Sequence, residues 1–288
     1  MTNAHPWFTQ AVAELADPQN QRVWSIIVSL FGDMAQERGA KISGGALGRI
    51  IEPMGIKPEA IRVALHRLRK DGWIESDRVG RVSMHFLTEY GRTQSARVTP
   101  RIYARDPAPD TPLHLLIAED GTGTRLLEDI LLSHDYTPIG RNAALGSGAP
   151  PVDQDDLLIL EVTARSVPRW VHEKLFPPDL RAACRSLHEA VRHVSHGRPA
   201  SWEPTPCQVA TLRTLIVHRW RRVVLRLPDL PDGFCPPDWT GPACRTQVFR
   251  LLDQLPRPLP ADLNDCPSSE FFGQRKQFRN GGSGSVSV

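Results

Sequence analysis

The sequence predicts an α+β chain built from more than one domain, and three observations predict it. Between Gln21 and Pro100 apolar residues recur at helical spacing and then alternate as in strands. Between Leu113 and Val162 two strand-like runs bracket a helical one, and from Val167 onward helical spacing dominates. The 288 residues exceed the roughly 100–200 of a typical domain. A content of 40% hydrophobic and 23% charged residues allows a sizeable core. Clusters of Pro, Gly and Ser at Asp106 to Pro112, Gly146 to Pro151 and Ser201 to Pro206 mark joints. The expected divisions are 1–104, 105–165 and 166–272, with 273–288 a disordered tail too poor in apolar surface to offset its ordering entropy.

In the first division Val23, Trp24, Ile27, Val28, Leu30 and Phe31 define an amphipathic helix within Gln21 to Met34. A second helix fits Ser43 to Glu52, with Ser43 as N-cap and Pro53 as its stop. The third starts at Pro58, where a missing N–H costs nothing, and Glu59 suits the positive helix end. Its inner stripe is Ile61, Leu65 and Leu68; the opposite face carries Val63, His66, Arg67 and Lys70, with Arg62 on its shoulder. Beyond Gly72 a strand, a turn at Asp77 to Arg81 and an alternating strand with Val82, Met84 and Phe86 inward form a hairpin. Thr88 caps a closing helix that runs through Arg97 to Pro100.

Three helices followed by a hairpin form a winged helix-turn-helix, whose third helix fits a major groove about 12 Å wide in double-stranded DNA. His66 and Arg67 are placed to read base edges, and Lys57, Arg62, Lys70, Arg78 and Arg81 to meet phosphates. The competing reading is an ordinary solvated helix. Charge is unevenly spread: Met1 to Tyr103 holds 14 basic and 10 acidic residues, Ala104 to Ala164 holds 3 and 11, and Arg165 to Val288 holds 18 and 11. Basic ends around an acidic centre suit a chain whose ends meet a polyanion.

The middle division reads as a strand at Leu113 to Ala118, a helix around Thr124 to Ser133 and a strand at Leu157 to Val162. The last reads as helices at Pro178 to His193 and Cys207 to Leu227, with one more after Pro242. His218, Arg219, Arg221 and Arg222 crowd one helix, where they could hold a phosphate-bearing effector, or pair with Asp229, Asp232 and Asp238 and brace a dimer. Five cysteines without a Cys-x-x-Cys spacing favour reduced thiols over a disulfide frame or zinc ribbon. Cys184, His188, His193 and His196 lack a complete ligand spacing, so no metal is expected. Glu119 and Asp120 could hold Mg²⁺ in a nuclease, yet adjacent carboxylates at a strand end are usually solvent-facing turn residues. No nucleophile elbow or phosphate-cradling loop appears, so no catalytic residue and no enzyme activity are expected. With neither a signal-peptide pattern nor a run of about 20 apolar residues, a cytoplasmic protein without membrane contact is expected.

The runs SIIVSLFGD (Ser25 to Asp33), IRVALHRLRKDGW (Ile61 to Trp73) and RIY (Arg101 to Tyr103) resemble the first helix, recognition helix and linker of the PaaX-type repressors of phenylacetate catabolism. LRTLIVHRWRR (Leu212 to Arg222), PDLP (Pro228 to Pro231) and PPDWTGPA (Pro236 to Ala243) resemble that family's C-terminal signature. Where the family usually has a tryptophan in the first middle strand, this chain has Pro112 to Ile117. The resemblance implies a winged-helix reader, a ferredoxin-like middle domain, a mainly helical C-terminal domain and a homodimer. It also implies release from DNA by an acyl-CoA effector, such as phenylacetyl-CoA or a similar aryl-acyl thioester, and no resident cofactor. The alternatives are a metal-dependent nuclease using the middle domain and a protein-binding winged-helix scaffold.

Overall fold

The computed structural model describes residues 5–17, 22–106, 111–120, 122–131, 136–147, 149–152 and 156–266. The tail expected at 273–288 lies outside them. The chain begins with helices α1 (Pro6–Leu15) and α2 (Val23–Met34), then a two-residue strand β1 (Ile42–Ser43), α3 (Gly44–Ile51) and α4 (Pro58–Lys70). A hairpin of β2 (Ile74–Val79) and β3 (Val82–Leu87) leads into α5 (Glu89–Ile102). Next come β4 (Leu113–Ala118), α6 (Thr122–Leu131), β5 (Tyr136–Pro138), β6 (Ala143–Ser147) and β7 (Leu157–Val162). Helices α7 (Arg169–Leu175), α8 (Pro178–Gly197), α9 (Pro206–Val224), α10 (Gly241–Asp253) and α11 (Pro260–Asn264) complete the described chain. The architecture is α+β, mostly helical, with two small antiparallel sheets.

Local chemistry explains the boundaries. Ser43 caps α3 by accepting from the Ala46 N–H, and Thr88 caps α5 by accepting from the Gly91 N–H. Thr205 and Gln208 form a reciprocal capping box at the start of α9. At Gly55 φ is 81°, a left-handed turn that frees the chain from the helical end at Met54 and sets up Pro58 as the first residue of α4. Gly91 has a different role: a Cβ there would lie 2.2 Å from the Trp73 carbonyl oxygen, so only glycine lets α5 seat against the start of the hairpin.

The first sheet has strand order β1-β3-β2 and the second β5-β6-β4-β7, with every pairing antiparallel. The hairpin corrects one expectation. Val82 is exposed and Met84 and Phe86 are only half-buried, whereas His85 and Leu87 face the core. Leu87 pairs with the buried Ile74, and period two then forces His85 inward beside it. The imidazole is satisfied there by the Ser76 hydroxyl at 2.7 Å. Three further strands, β1, β5 and β6, escaped the sequence pattern because they are short and weakly patterned, and the supposed joint at Gly146 begins inside β6. So did α1, α7 and α11.

Helix α6 covers one face of the second sheet through Leu127, which packs with Leu116, Ala118, Ala144 and Leu157. Leu113 and Leu145 face the other way, against Val171, Leu175, Phe176 and Phe234. A third and larger core joins α1 to α4 with α8, α9 and α10. Helix α9 runs through it and is buried on nearly all sides, which explains why Trp220, Leu212 and Ile216 are almost fully enclosed.

Candidate nucleic-acid interface

Helix α4 buries Ile61, Ala64, Leu65 and Leu68 and leaves Arg62, Val63, His66, Arg67, Arg69 and Lys70 exposed. Lys57 is exposed at its N-cap, and Arg78 and Arg81 are exposed at the hairpin tip, where Gly80 turns the chain with φ of 63°. Arg62 pairs with Glu59 at 3.3 Å, and Arg67 pairs with Asp71 at 3.4 Å while its guanidinium lies 5.4 Å from the Trp24 ring centroid. Such solvent-exposed pairs are worth about 0–1 kcal/mol, so an incoming phosphate or base edge can displace them.

Arg69, outside the predicted set of DNA contacts, donates to Ser76 Oγ at 3.3 Å and so ties α4 to the hairpin. Its signal was the spacing of seven residues from Arg62, two helical turns along the same side. Burial and the Arg69 charge lower the pKa of His85. Lys41 is held 2.5 Å from Asp77 and 4.9 Å from the Phe86 ring centroid, bracing the far side of the hairpin. Asn264 donates to the Lys41 carbonyl and accepts from the Ser43 N–H, and Arg49 donates to the Leu263 carbonyl. The end of the described chain therefore buttresses the start of α3.

The second predicted cluster faces inward in part. His218 and Arg219 are buried; Arg219 donates to the Glu14 and Leu15 carbonyls and to Ser186 Oγ. Arg222 pairs with Asp17 at 3.3 Å, and Arg221 lines a small cavity of about 30 Å³ with Ser95 and Tyr103. The carboxylates expected to pair with this cluster go elsewhere: Asp229 meets Arg101 at 3.1 Å and Asp238 meets Arg181 at 3.2 Å. The Asp232 side chain lies outside the described residues. The reason is α9 itself, which points these side chains at α1 and α2 rather than along the chain. Cys184 is buried and accepts from Thr240 Oγ1 at 3.6 Å, while His193 and His196 are exposed. Among the described residues no group of three His, Cys, Asp or Glu side chains could hold a metal ion. Glu119 and Asp120 are exposed beyond β4, and no described helix is long and apolar enough to cross a membrane.

Burial, reinforced by Arg222 and Arg221, lowers the His218 pKa to about 4. Its Nδ1 lies 3.2 Å from Ser29 Oγ, which itself donates to the Ser25 carbonyl, so Nδ1 carries the proton. An unfolded His titrates near 6.5. Between these values the unfolded chain binds the extra proton, so stability falls as pH falls below about 6.5 and levels off below about 4. This one group is expected to cost about 2 kcal/mol between pH 7 and 5. Urea unfolding of wild type and His218→Gln at both pH values checks it; an equal drop in the two proteins would exclude His218 as the source.

These features define a class: an α+β protein that presents a cationic helix and an adjoining hairpin outside a helical core shared by both ends of the chain. Residues 22–91 match the PaaX-like protein family and residues 178–262 the PaaX-like protein C-terminal domain. Transcriptional repressor PaaX of Escherichia coli (strain K12) is 31% identical over 252 residues, spanning 80% of this chain and 79% of that relative. The chain belongs to the PaaX-like family. A solved structure of the uncharacterized protein Rv0674 from Mycobacterium tuberculosis aligns with a TM-score of 0.48 and 19% identity, covering 83% of this chain and 95% of that one.

Proposed function

We propose that the chain is a transcriptional repressor, not an enzyme, that binds double-stranded DNA through a winged helix-turn-helix within 1–104. In this reading α3 and α4 are the helix-turn-helix, α4 enters the major groove and the β2–β3 hairpin is the wing. The observation that carries it is the unburied row of Arg62, His66, Arg67 and Lys70 on α4, together with Arg78 and Arg81 at the adjoining hairpin tip. The kinship with a transcriptional repressor supports the same conclusion. Val63, 70% exposed amid these cations, suits contact with a thymine methyl.

The second sheet, with 105–165, is read as a ferredoxin-like domain; its alternating strand order β5-β6-β4-β7 supports this. Residues 166–272 are read as the effector and dimerisation part, whose described elements are helical. Two copies related by a two-fold axis would place their α4 helices in half-sites roughly 34 Å apart, or a multiple of that. The protein acts in the cytoplasm, occludes its promoter, and is released by a small-molecule effector such as an aryl-acyl-CoA thioester. Release requires that the effector bind the free geometry more tightly than the DNA-bound one.

Arg67→Ala is expected to lose about 1–3 kcal/mol on the cognate site with relaxed selectivity. Arg81→Ala should weaken all duplexes alike and reduce the salt slope by about one. Band-shift titrations across a salt series, on a site selected from genomic fragments, measure both. Unchanged cognate binding by Arg67→Ala removes that residue from the readout; salt-independent wild-type binding rejects the DNA-reader reading altogether.

A further inference from the structure

A cleft of about 850 Å³ opens between the end of α5 with its following residues, the end of β6 and helices α9 and α10. That volume lies in the range of roughly 300–1,000 Å³ typical of small-molecule sites. We propose that it is a binding site for an organic anion that carries a flat apolar group, with Arg101 and Arg245 on the anion and the Trp239 ring, backed by the buried Phe176, against the flat group. The inference rests on the effector reading above and says where that effector sits.

The lining has two distinct chemistries. Arg101, Arg105 and Arg245 supply guanidinium groups, each held in place by the fold. Arg101 pairs with Asp229 at 3.1 Å and donates to the Leu227 carbonyl, and Arg105 pairs with Asp253 through two hydrogen bonds of 2.9 and 2.6 Å. Arg245 donates to the Asp106 carbonyl at 2.8 Å and lies 6.0 Å from the Trp220 ring centroid. The Nε atoms of Arg101 and Arg245 are buried without a hydrogen-bond partner among the described residues. An anion seated in the cleft is favoured by the charge of these immobilised guanidinium groups. The other chemistry is apolar: the partly exposed Trp239, whose ring centroid lies 5.0 Å from that of the buried Phe176 behind it, shares the lining with Leu230 and Pro231. Preformed aromatic surface next to immobilised guanidinium groups selects a ligand that has both parts.

The cleft also touches the element that supports the hairpin. Arg101 sits in the last turn of α5, and the first turn of α5 packs Thr88 and Gly91 on the Trp73 carbonyl beside β2. A ligand that competes with Asp229 for Arg101 therefore acts on the helix that seats the hairpin, which gives it a route to discriminate between free and DNA-bound geometries.

Calorimetric titration of the full chain with phenylacetyl-CoA, with phenylacetate and with coenzyme A alone separates a thioester from the free acid and from the carrier. Two variants test the place. Gly233 lines the cleft and a Cβ added there meets no atom within 4 Å, so Gly233→Trp is chosen to add bulk from a backbone position that accepts a side chain; Arg245→Gln removes one charge. Binding of phenylacetyl-CoA or phenylacetate by wild type, weakened at least tenfold in both variants with unchanged melting temperatures, is the expected result. Full-strength binding by both variants overturns the location while leaving the effector reading intact. Binding of none of the probes, or of coenzyme A as tightly as its thioester, overturns the proposed ligand class. Binding in the cleft that leaves DNA affinity unchanged upholds the site and rejects release.

Discussion

Asp33→Ala is expected to cost about 3–5 kcal/mol of folding stability, because it strands a charge inside the protein. The Asp33 side chain is fully enclosed and that of Arg213 is 6% exposed. Arg213 donates through Nε and Nη2 to the two carboxylate oxygens, both at 2.9 Å, a bidentate geometry that a lysine could not reproduce. Its Nη1 donates to the Leu252 and Leu255 carbonyls at 3.2 and 2.6 Å, which ties α10 into the same knot. Tyr103 donates to Asp33 Oδ1 at 2.6 Å, and burial together with that carboxylate pushes the phenol pKa up, keeping the hydroxyl a donor. Arg257 reaches the same oxygen at 3.3 Å from a half-exposed position and contributes little, since water already solvates it. Removing Asp33 leaves the Arg213 guanidinium desolvated and uncompensated. Urea unfolding measures the loss, and a change below about 1 kcal/mol would show that the pair is not coupled to folding. Replacing both partners by apolar residues of similar volume, as in Asp33→Leu with Arg213→Met, should recover only part of it, because the Leu252 and Leu255 carbonyls and the Tyr103 hydroxyl then lose their partners.

The second large effect is expected from Trp220→Ala, at about 3–5 kcal/mol. Trp220 is 1% exposed, and its Nε1 donates to the Ile102 carbonyl at 2.9 Å across the junction between α5 and α9. Truncation removes the apolar area, leaves a cavity and deprives a buried carbonyl of its donor. Trp220→Phe should fall between, because it restores most of the volume but not the hydrogen bond. Thermal unfolding monitored by far-ultraviolet circular dichroism ranks the three proteins. A loss in Trp220→Phe as large as in Trp220→Ala would mean that the hydrogen bond, not the packing, dominates.

Much of the fold was legible in local pattern. Helix α4 has the predicted start, inner stripe and exposed cationic face; Ser43 and Thr88 cap the helices assigned to them; and β4 and β7 have the predicted bounds. Alternation located the β3 strand, yet it could not say which face turns inward, since Val82, Met84 and Phe86 are as apolar as the face that is buried. Only the pairing of Leu87 with Ile74 decided that. The cluster on α9 poses the same kind of question: composition showed a cationic helix segment around His218 and Arg219, but not that part of it faces the interior.

From its sequence alone this chain's helical stripes, caps, breaks and basic exposed face could be read, because each depends on residues within a turn or two of one another. The tertiary structure decided which charges are spent inside. Asp33 and Arg213 stand 180 residues apart and Trp220 and Ile102 118 apart, and only folding brings them together. No local period records such a partnership, because the cost of desolvating a charge is settled by whatever distant group the packing sets against it.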